Sequence, residues 1–238
     1  MPDQEQLPQV PVPTPRVGAA ISWAFDTFRR NPLPYIALAA VVAVIQVVQQ
    51  IGSQSLTNAL VACQDPQSPG QQNACDAALG ISAIGGFIVT LVFLVLAFFA
   101  TIGVYRAALA NSQGREPEFT MIFSTENLGR YVLFSLAYAG LTIVGVILCI
   151  IPGLIVAFLL QLGPVFVLDR GYRPVAAIKA SYRVITKNLG PAFVMVLFAV
   201  LVSLLGSTFY GILTLLTLPF TTLFVVHMYR QFNGEPVR

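Results

Sequence analysis

This chain has very little charge. Only 10% of its 238 residues are Asp, Glu, Lys or Arg, against about 25% in a soluble domain, too few to cover a water-facing surface. An ordinary soluble enzyme is excluded. A disordered chain, which needs low hydrophobicity and high charge, is excluded by 56% hydrophobic residues and a mean hydropathy of +0.78. Histidine is reduced to His227 and tryptophan to Trp23. No H-E-x-x-H, G-x-S-x-G, G-x-x-x-x-G-K-[ST] or G-x-G-x-x-G motif occurs, so the usual signatures of metalloprotease, hydrolase and nucleotide chemistry are missing.

Long charge-free runs are abundant. They cover Ala77 to Tyr105, Tyr131 to Leu168 and Leu189 to Val226. A spanning helix needs about 20 apolar residues. The last two runs have 38 residues each, and as single helices they would measure roughly 57 Å against a hydrocarbon core of about 30 Å. Each must fold back. Pro152-Gly153 interrupts the first, and Gly206-Ser207-Thr208 through Gly211 the second. With a further apolar segment upstream, the sequence predicts six spans at about 33–51, 79–106, 130–151, 152–168, 189–206 and 211–229. A re-entrant hairpin in place of one span pair is the alternative. The spans belong to a single transmembrane domain over 16–234, between a proline-rich tail (1–15) and a short tail (235–238). The fold class is all-α integral membrane.

The thirteen basic residues divide cleanly on that scheme. Arg16, Arg29 and Arg30 precede span one; Arg106, Arg115 and Arg130 lie between spans two and three. Arg170, Arg173, Lys179, Arg183 and Lys187 lie between spans four and five; Arg230 and Arg238 follow span six. The three other connections carry no Lys or Arg. The positive-inside rule then places the basic side and both termini in the cytoplasm. Residues 1–15 lack the basic and apolar regions of a signal peptide. Their prolines favour extended, disordered chain, with a partner-docking segment as the sharper reading.

Cys63 and Cys75 lie in the connection that topology places outside. Oxidising conditions there favour a disulfide over two free thiols, and two thiols without a nearby His supply too few ligands for zinc. Cys149 reads as a packing residue within span three.

Two amphipathic segments flank the spans. In 17–30, Val17, Ile21, Ala24, Phe25 and Phe28 share one helical face, and Ser22, Asp26, Arg29 and Arg30 the other. Trp23 stands at the flank. Too short and polar to cross, this helix is expected to lie in the membrane plane. In 174–187, Lys179, Arg183 and Lys187 form a basic stripe beside Ile178, Tyr182 and Ile185. Such a stripe attracts anionic headgroups by about 1 kcal/mol per charge; a merely solvated face is the plain alternative. The segments align without a gap at an offset of 157: Arg16 with Arg173, Ala19-Ala20-Ile21 with Ala176-Ala177-Ile178, Arg30-Asn31 with Lys187-Asn188, Pro34 with Pro191. Between them, Phe119 to Asn127 precedes span three, and Asn127-Leu128-Gly129 matches Asn188-Leu189-Gly190. The sequence thus predicts three tandem, parallel units, each an in-plane helix followed by a helical hairpin, the middle one matching weakly.

None of the ten acidic residues falls in a predicted hydrocarbon core, where ion-coupled carriers and proton relays usually place ionisable groups. Gln46 and Gln161 are the most polar core side chains, read as interhelical hydrogen-bonding groups or, alternatively, as lining a polar path. Pro164 and Pro219 are expected to kink their helices. His227 reads as an interfacial residue. No residue set points to catalysis, a cofactor or a metal. The basic residues line a membrane interface without aromatic interleaving, which argues against nucleic acid as a partner. The expected partners are membrane lipids and a membrane-protein complex partner.

The block IPGLIVAFLLQLGPVFVLDRGYRPVAAIKASYRVITKNLG resembles a recurring block in bacterial membrane proteins related to the glycerophosphoryl diester phosphodiesterase membrane domain. The shared elements are the hairpin at Pro152-Gly153, the short basic loop at Asp169-Arg170, the A-x-x-x-S helix from Ala177 to Ser181, and Asn188. Phe28-Arg29-Arg30-Asn31 and Tyr229-Arg230 to Gly234 also fit, and the proline-rich tail is similar to actinobacterial members. The resemblance covers most of 16–234 and implies the fold and the bacterial cytoplasmic membrane. It does not imply the phosphodiesterase activity, whose catalytic domain is a separate soluble barrel. The sequence is therefore read as a non-enzymatic accessory subunit, scaffold or lipid-organising component, with a transporter or channel for a lipid or small hydrophobic molecule as the alternative.

Overall fold

The computed structural model describes residues 15–63, 69–118, 120–121, 124–207 and 212–237. Among these residues it is all-α, with no β-strand. The amphipathic segment 17–30 is α1 (Val17–Arg30), and the first hairpin is α2 (Pro32–Ala62) and α3 (Pro69–Ser112). The second hairpin is α4 (Leu128–Leu148) with α5 (Ile150–Leu160) and α6 (Gly163–Arg170). Helix α7 (Pro174–Lys187) leads into α8 (Leu189–Ser207) and α9 (Thr214–Phe232). Residues 1–14, within the expected proline-rich tail, lie outside the described residues, as do 208–211 of the last expected turn.

Five helical stretches among the described residues are long and apolar enough to cross a membrane: Pro32–Ile51, Ile84–Ser112, Leu128–Leu148, Ile150–Arg170 and Leu189–Gly206. The sixth expected span, 211–229, is helical as α9 but different in kind. Its C-terminal half carries His227, Tyr229, Arg230 and Gln231, and eleven of its nineteen residues are buried. Helices α1, α2, α3 and α8 pack around it, so its polar groups meet protein rather than lipid.

The helices differ from expectation at three places. First, α2 and α3 run well beyond their apolar parts. Eleven residues of α2 after Ile51 and fifteen of α3 before Ile84 extend the hairpin by about 16 Å and about 22 Å at 1.5 Å per residue. The Ser, Thr and Gln of that stretch are helix-compatible once the helix is under way, and no proline interrupts it until Pro66. Second, the turn of the middle hairpin falls at Cys149, not at Pro152-Gly153. Cys149 alone is extended (φ −174°, ψ 149°), ending α4 and starting α5. Proline in a first helical turn loses no hydrogen bond, so Pro152 opens the new helix instead of breaking it. Gly153 serves packing: a Cβ there would stand 2.3 Å from Val146 Cγ2 and 2.8 Å from its backbone N. Cys149 is exposed at this turn, which corrects its reading as a packing residue. Third, the fourth span is two helices. The chain breaks at Gln161-Leu162, and Pro164 sits in the first turn of α6. Gly163 at this break lets α6 lie against Phe134 of α4; a Cβ there would stand 2.0 Å from the ring.

The repeat is visible in helix boundaries. Both α1 and α7 have 14 residues, and their ends are 157 positions apart at both termini. Each follows an extended arginine, Arg16 or Arg173, and ends on an asparagine, Asn31 (φ −133°) or Asn188 (φ −130°). The second helices α3, α6 and α9 each run into a glycine with positive φ: Gly114 (77°), Gly171 (62°) and Gly234 (68°). Glycine reaches that region without the Cβ penalty and closes the helix C-terminus. The middle unit departs from the expected pattern: among the described residues no α-helix lies between Ser112 and Leu128.

Two of the units each dock a 14-residue helix on another unit. Helix α7 of the third unit docks on α4, α5 and α6 of the second, and α1 of the first docks chiefly on α9 of the third. The docked faces correspond. Ala20 and Ala24 of α1 and Ala177 and Ser181 of α7 are fully buried at the 157 offset. This revises the apolar face of α1: Thr27 is buried, whereas Phe25 is 57% exposed.

Candidate functional site

The three glycine-closed helices bring their C-termini together, and polar residues from all three units meet there. Arg230 of α9 donates from Nη2 to Asp169 Oδ1 at 2.6 Å and from Nη1 to Oδ2 at 3.0 Å. Tyr229 Oη donates to Asp169 Oδ2 at 2.8 Å, and Gln113 Nε2 to Oδ1 at 3.1 Å. Arg230 Nε donates to Ser112 Oγ of α3 at 3.2 Å. Glu235 then bridges Arg230 and Arg170. The side chains of Asp169 and Arg230 are 4% and 8% exposed. Burial works to lower the Arg230 pKa, and the hydrogen bonds and charges of Glu235 and Asp169 outweigh it, holding the guanidinium more firmly protonated than usual. A forked Arg–carboxylate pair is strong and directional. Both Asp169 oxygens are occupied by donors, so the group acts as a fastener between α3, α6 and α9.

The expected surface residues lie elsewhere. Lys179, Arg183 and Lys187 are all exposed along one face of α7. The opposite face is locked: Ser181 Oγ donates to Leu159 O at 2.8 Å and accepts from Leu162 N–H at 3.2 Å. Those are the backbone groups freed by the α5–α6 break. The A-x-x-x-S motif is therefore a docking face. Tyr182, expected on the apolar stripe, is 54% exposed. Arg29 and Arg30 are exposed at the end of α1. These arginines and the α7 stripe stand on helices that dock on different hairpins.

Cys63 and Cys75 face each other at disulfide-bonding distance across the far ends of α2 and α3, with Cα atoms 5.8 Å apart. Gln46 makes an interhelical bond as expected, accepting from Thr214 Oγ1 at 2.9 Å. Gln161 lies in the α5–α6 break, where its Nε2 is buried without a hydrogen-bond partner. His227 is buried against Trp23, the ring centroids 5.0 Å apart; it belongs to the α1–α9 contact, not to an exposed interface.

Two cavities adjoin at the start of α4. One, of about 760 Å³, lies between α2 and α3 and is lined almost entirely by apolar side chains, among them Val41, Val44, Leu96 and Phe99. Ser124, Thr125 and Leu128 close one end. The other, of about 190 Å³, is polar and contains Arg106, Gln113, Arg115, Ser124 and Glu126. Arg106 donates to the carbonyls of Ser124 and Glu126, so the wall between the two is tied to α3.

Neither the ion pair nor the cavities are among the features expected from the sequence. The available signal was the recurrence of charged or polar residues just before Gly114, Gly171 and Gly234.

No family model matches the chain, and no solved structure matches it. Over 229 residues it is 29% identical to an uncharacterized protein of Mycobacterium bovis and to uncharacterized proteins of two strains of Mycobacterium tuberculosis. Each match covers 93% of this chain and 70% of the relative.

Proposed function

We propose that this protein is a non-enzymatic, multi-pass component of the bacterial cytoplasmic membrane, its termini in the cytoplasm, that organises lipid or serves as an accessory subunit or scaffold. The observation that carries this reading is α7: one face is locked onto the middle hairpin, and the other presents Lys179, Arg183 and Lys187 free of intramolecular ion pairs among the described residues. A helix so anchored holds its charges at a set height, where anionic headgroups or an acidic partner can meet them. The resemblance to the membrane domain of glycerophosphoryl diester phosphodiesterases supports the placement in a bacterial membrane.

Full-length protein in nanodiscs of mixed phosphatidylglycerol and phosphatidylcholine is expected to enrich phosphatidylglycerol. Replacing Lys179, Arg183 and Lys187 by alanine should remove most of that enrichment, and the part removed should be salt-dependent. Unchanged lipid enrichment, together with an unchanged set of co-purifying membrane proteins, removes this role for the stripe.

The apolar cavity between α2 and α3 favours a second reading, a carrier for a lipid or small hydrophobic molecule. Its test is transport of a labelled lipid in proteoliposomes; no movement under any imposed gradient counts against it.

A further inference from the structure

The three units do not cover their hairpins equally. The second hairpin is covered by α7 and the third by α1, each a 14-residue helix with a buried small-residue face. The segment that would cover the first hairpin contains no α-helix among its described residues, and its Ser124 and Thr125 line the end of the cavity between α2 and α3. We propose that this cavity is a binding site for one acyl chain of an anionic phospholipid, whose headgroup rests in the adjoining polar cleft.

Four observations carry the proposal. The cavity volume of about 760 Å³ lies within the range of small-molecule sites, about 300–1,000 Å³. Its lining offers water almost no hydrogen-bonding partner, and apolar cavities of this kind take apolar occupants. Both walls belong to membrane-crossing stretches, and the rim residues Val44 and Leu96 are 61% and 48% exposed, so a chain can enter sideways from the bilayer. At the other end, Ser124 is shared with a cleft that holds Arg106 and Arg115 against Glu126 and Asp169. Asp169 is already neutralised by Arg230. Outside the Asp169–Arg230 pair the cleft holds two guanidiniums, Arg106 tied to the Ser124 and Glu126 carbonyls and Arg115 to Gln113, and one carboxylate, and the excess of one positive charge suits a single phosphate diester.

This inference rests on the lipid-organising reading but on different residues, so the two fail separately. The experiment is native mass spectrometry of the full chain in mild detergent, titrated with phosphatidylglycerol or phosphatidylcholine. The expected result is one retained phospholipid per chain, with phosphatidylglycerol preferred. Val44→Trp and, independently, Leu96→Trp fill the groove from exposed positions and should each lower retention about tenfold or more at an unchanged melting temperature. Arg115→Gln should erase the preference for phosphatidylglycerol while retention of phosphatidylcholine persists. Alanine at Lys179, Arg183 and Lys187 should leave the retained molecule in place. The proposal is overturned if the wild-type chain retains no phospholipid, or if both tryptophan variants retain it as the wild type does. It is also overturned if the α7 variant alone releases it, which would assign the lipid to the basic stripe.

Discussion

Asp169 and Arg230 show how different two charges on one protein can be. The Lys179 ammonium sits in solvent, and removing it should change stability by no more than about 0.5 kcal/mol, as for most surface substitutions. Removing Asp169 leaves a guanidinium that is 8% exposed with only Glu235 and Ser112 as hydrogen-bond partners among the described residues, and breaking a buried pair from one side costs up to about 3–5 kcal/mol. Asp169→Ala is therefore expected to lower the melting temperature of the detergent-solubilised protein far more than Lys179→Ala. Replacing both partners by apolar residues of similar volume, as in Asp169→Leu with Arg230→Met, should recover much of the loss. Equal melting temperatures for Asp169→Ala and Lys179→Ala would mean that the pair fastens nothing. At this scale the sequence was only half legible. The ten acids could be placed outside the hydrocarbon core by position alone. That Asp169 meets a residue 61 positions away depends on the convergence of three helices, which local spacing does not encode.

At the scale of the element, α1 and α7 are one design with a single telling difference. Ala24 and Ser181 stand at the same place in the repeat, and both are fully buried. Alanine suffices on α9, where the helix is continuous past α1. Serine is needed where α5 gives way to α6, since the break leaves Leu159 O and Leu162 N–H to be satisfied. Ser181→Ala should therefore cost about 1–3 kcal/mol, the penalty for buried groups left unpaired. Ala24→Ser should bring no compensating gain. Thermal unfolding followed by circular dichroism checks both, and a neutral Ser181→Ala would show that the break is satisfied by other means. The helical period and the 157-residue offset were readable in advance, and the boundaries of α1 and α7 match that reading. The turn was misplaced from Cys149 to Pro152-Gly153 because the same dipeptide that ends one helix is tolerated in the first turn of the next.

Across the described residues, the 14-residue helices of two units each pack on another unit, α1 on the third and α7 on the second. If the basic side faces the cytoplasm, the turn at Cys149 and the tips of α2 and α3 face outward together. A membrane-impermeant maleimide added to intact cells should then label Cys149, which is exposed. Cys63 and Cys75 should react only after reduction, since they lie at disulfide-bonding distance. Labelling of Cys149 only after the cells are opened would invert the topology. Labelling of Cys63 and Cys75 without reductant would deny the bridge.

Composition and the spacing of apolar residues determined by themselves that the chain is all-α and built to cross a membrane. A low-charge sequence with runs of this length has no other way to satisfy its backbone in lipid. The repeat was equally legible, because duplicated sequence keeps its caps and its period. Only the tertiary structure decided that α9, predicted as a span like the others, is the helix around which α1, α2, α3 and α8 pack. The same holds for the buried Asp169–Arg230 pair at the junction of the units. It holds too for the first hairpin, where a cavity lies between α2 and α3. Each of these depends on contacts between residues far apart in the chain, where the packing of one unit against another sets which side chains meet protein and which meet lipid.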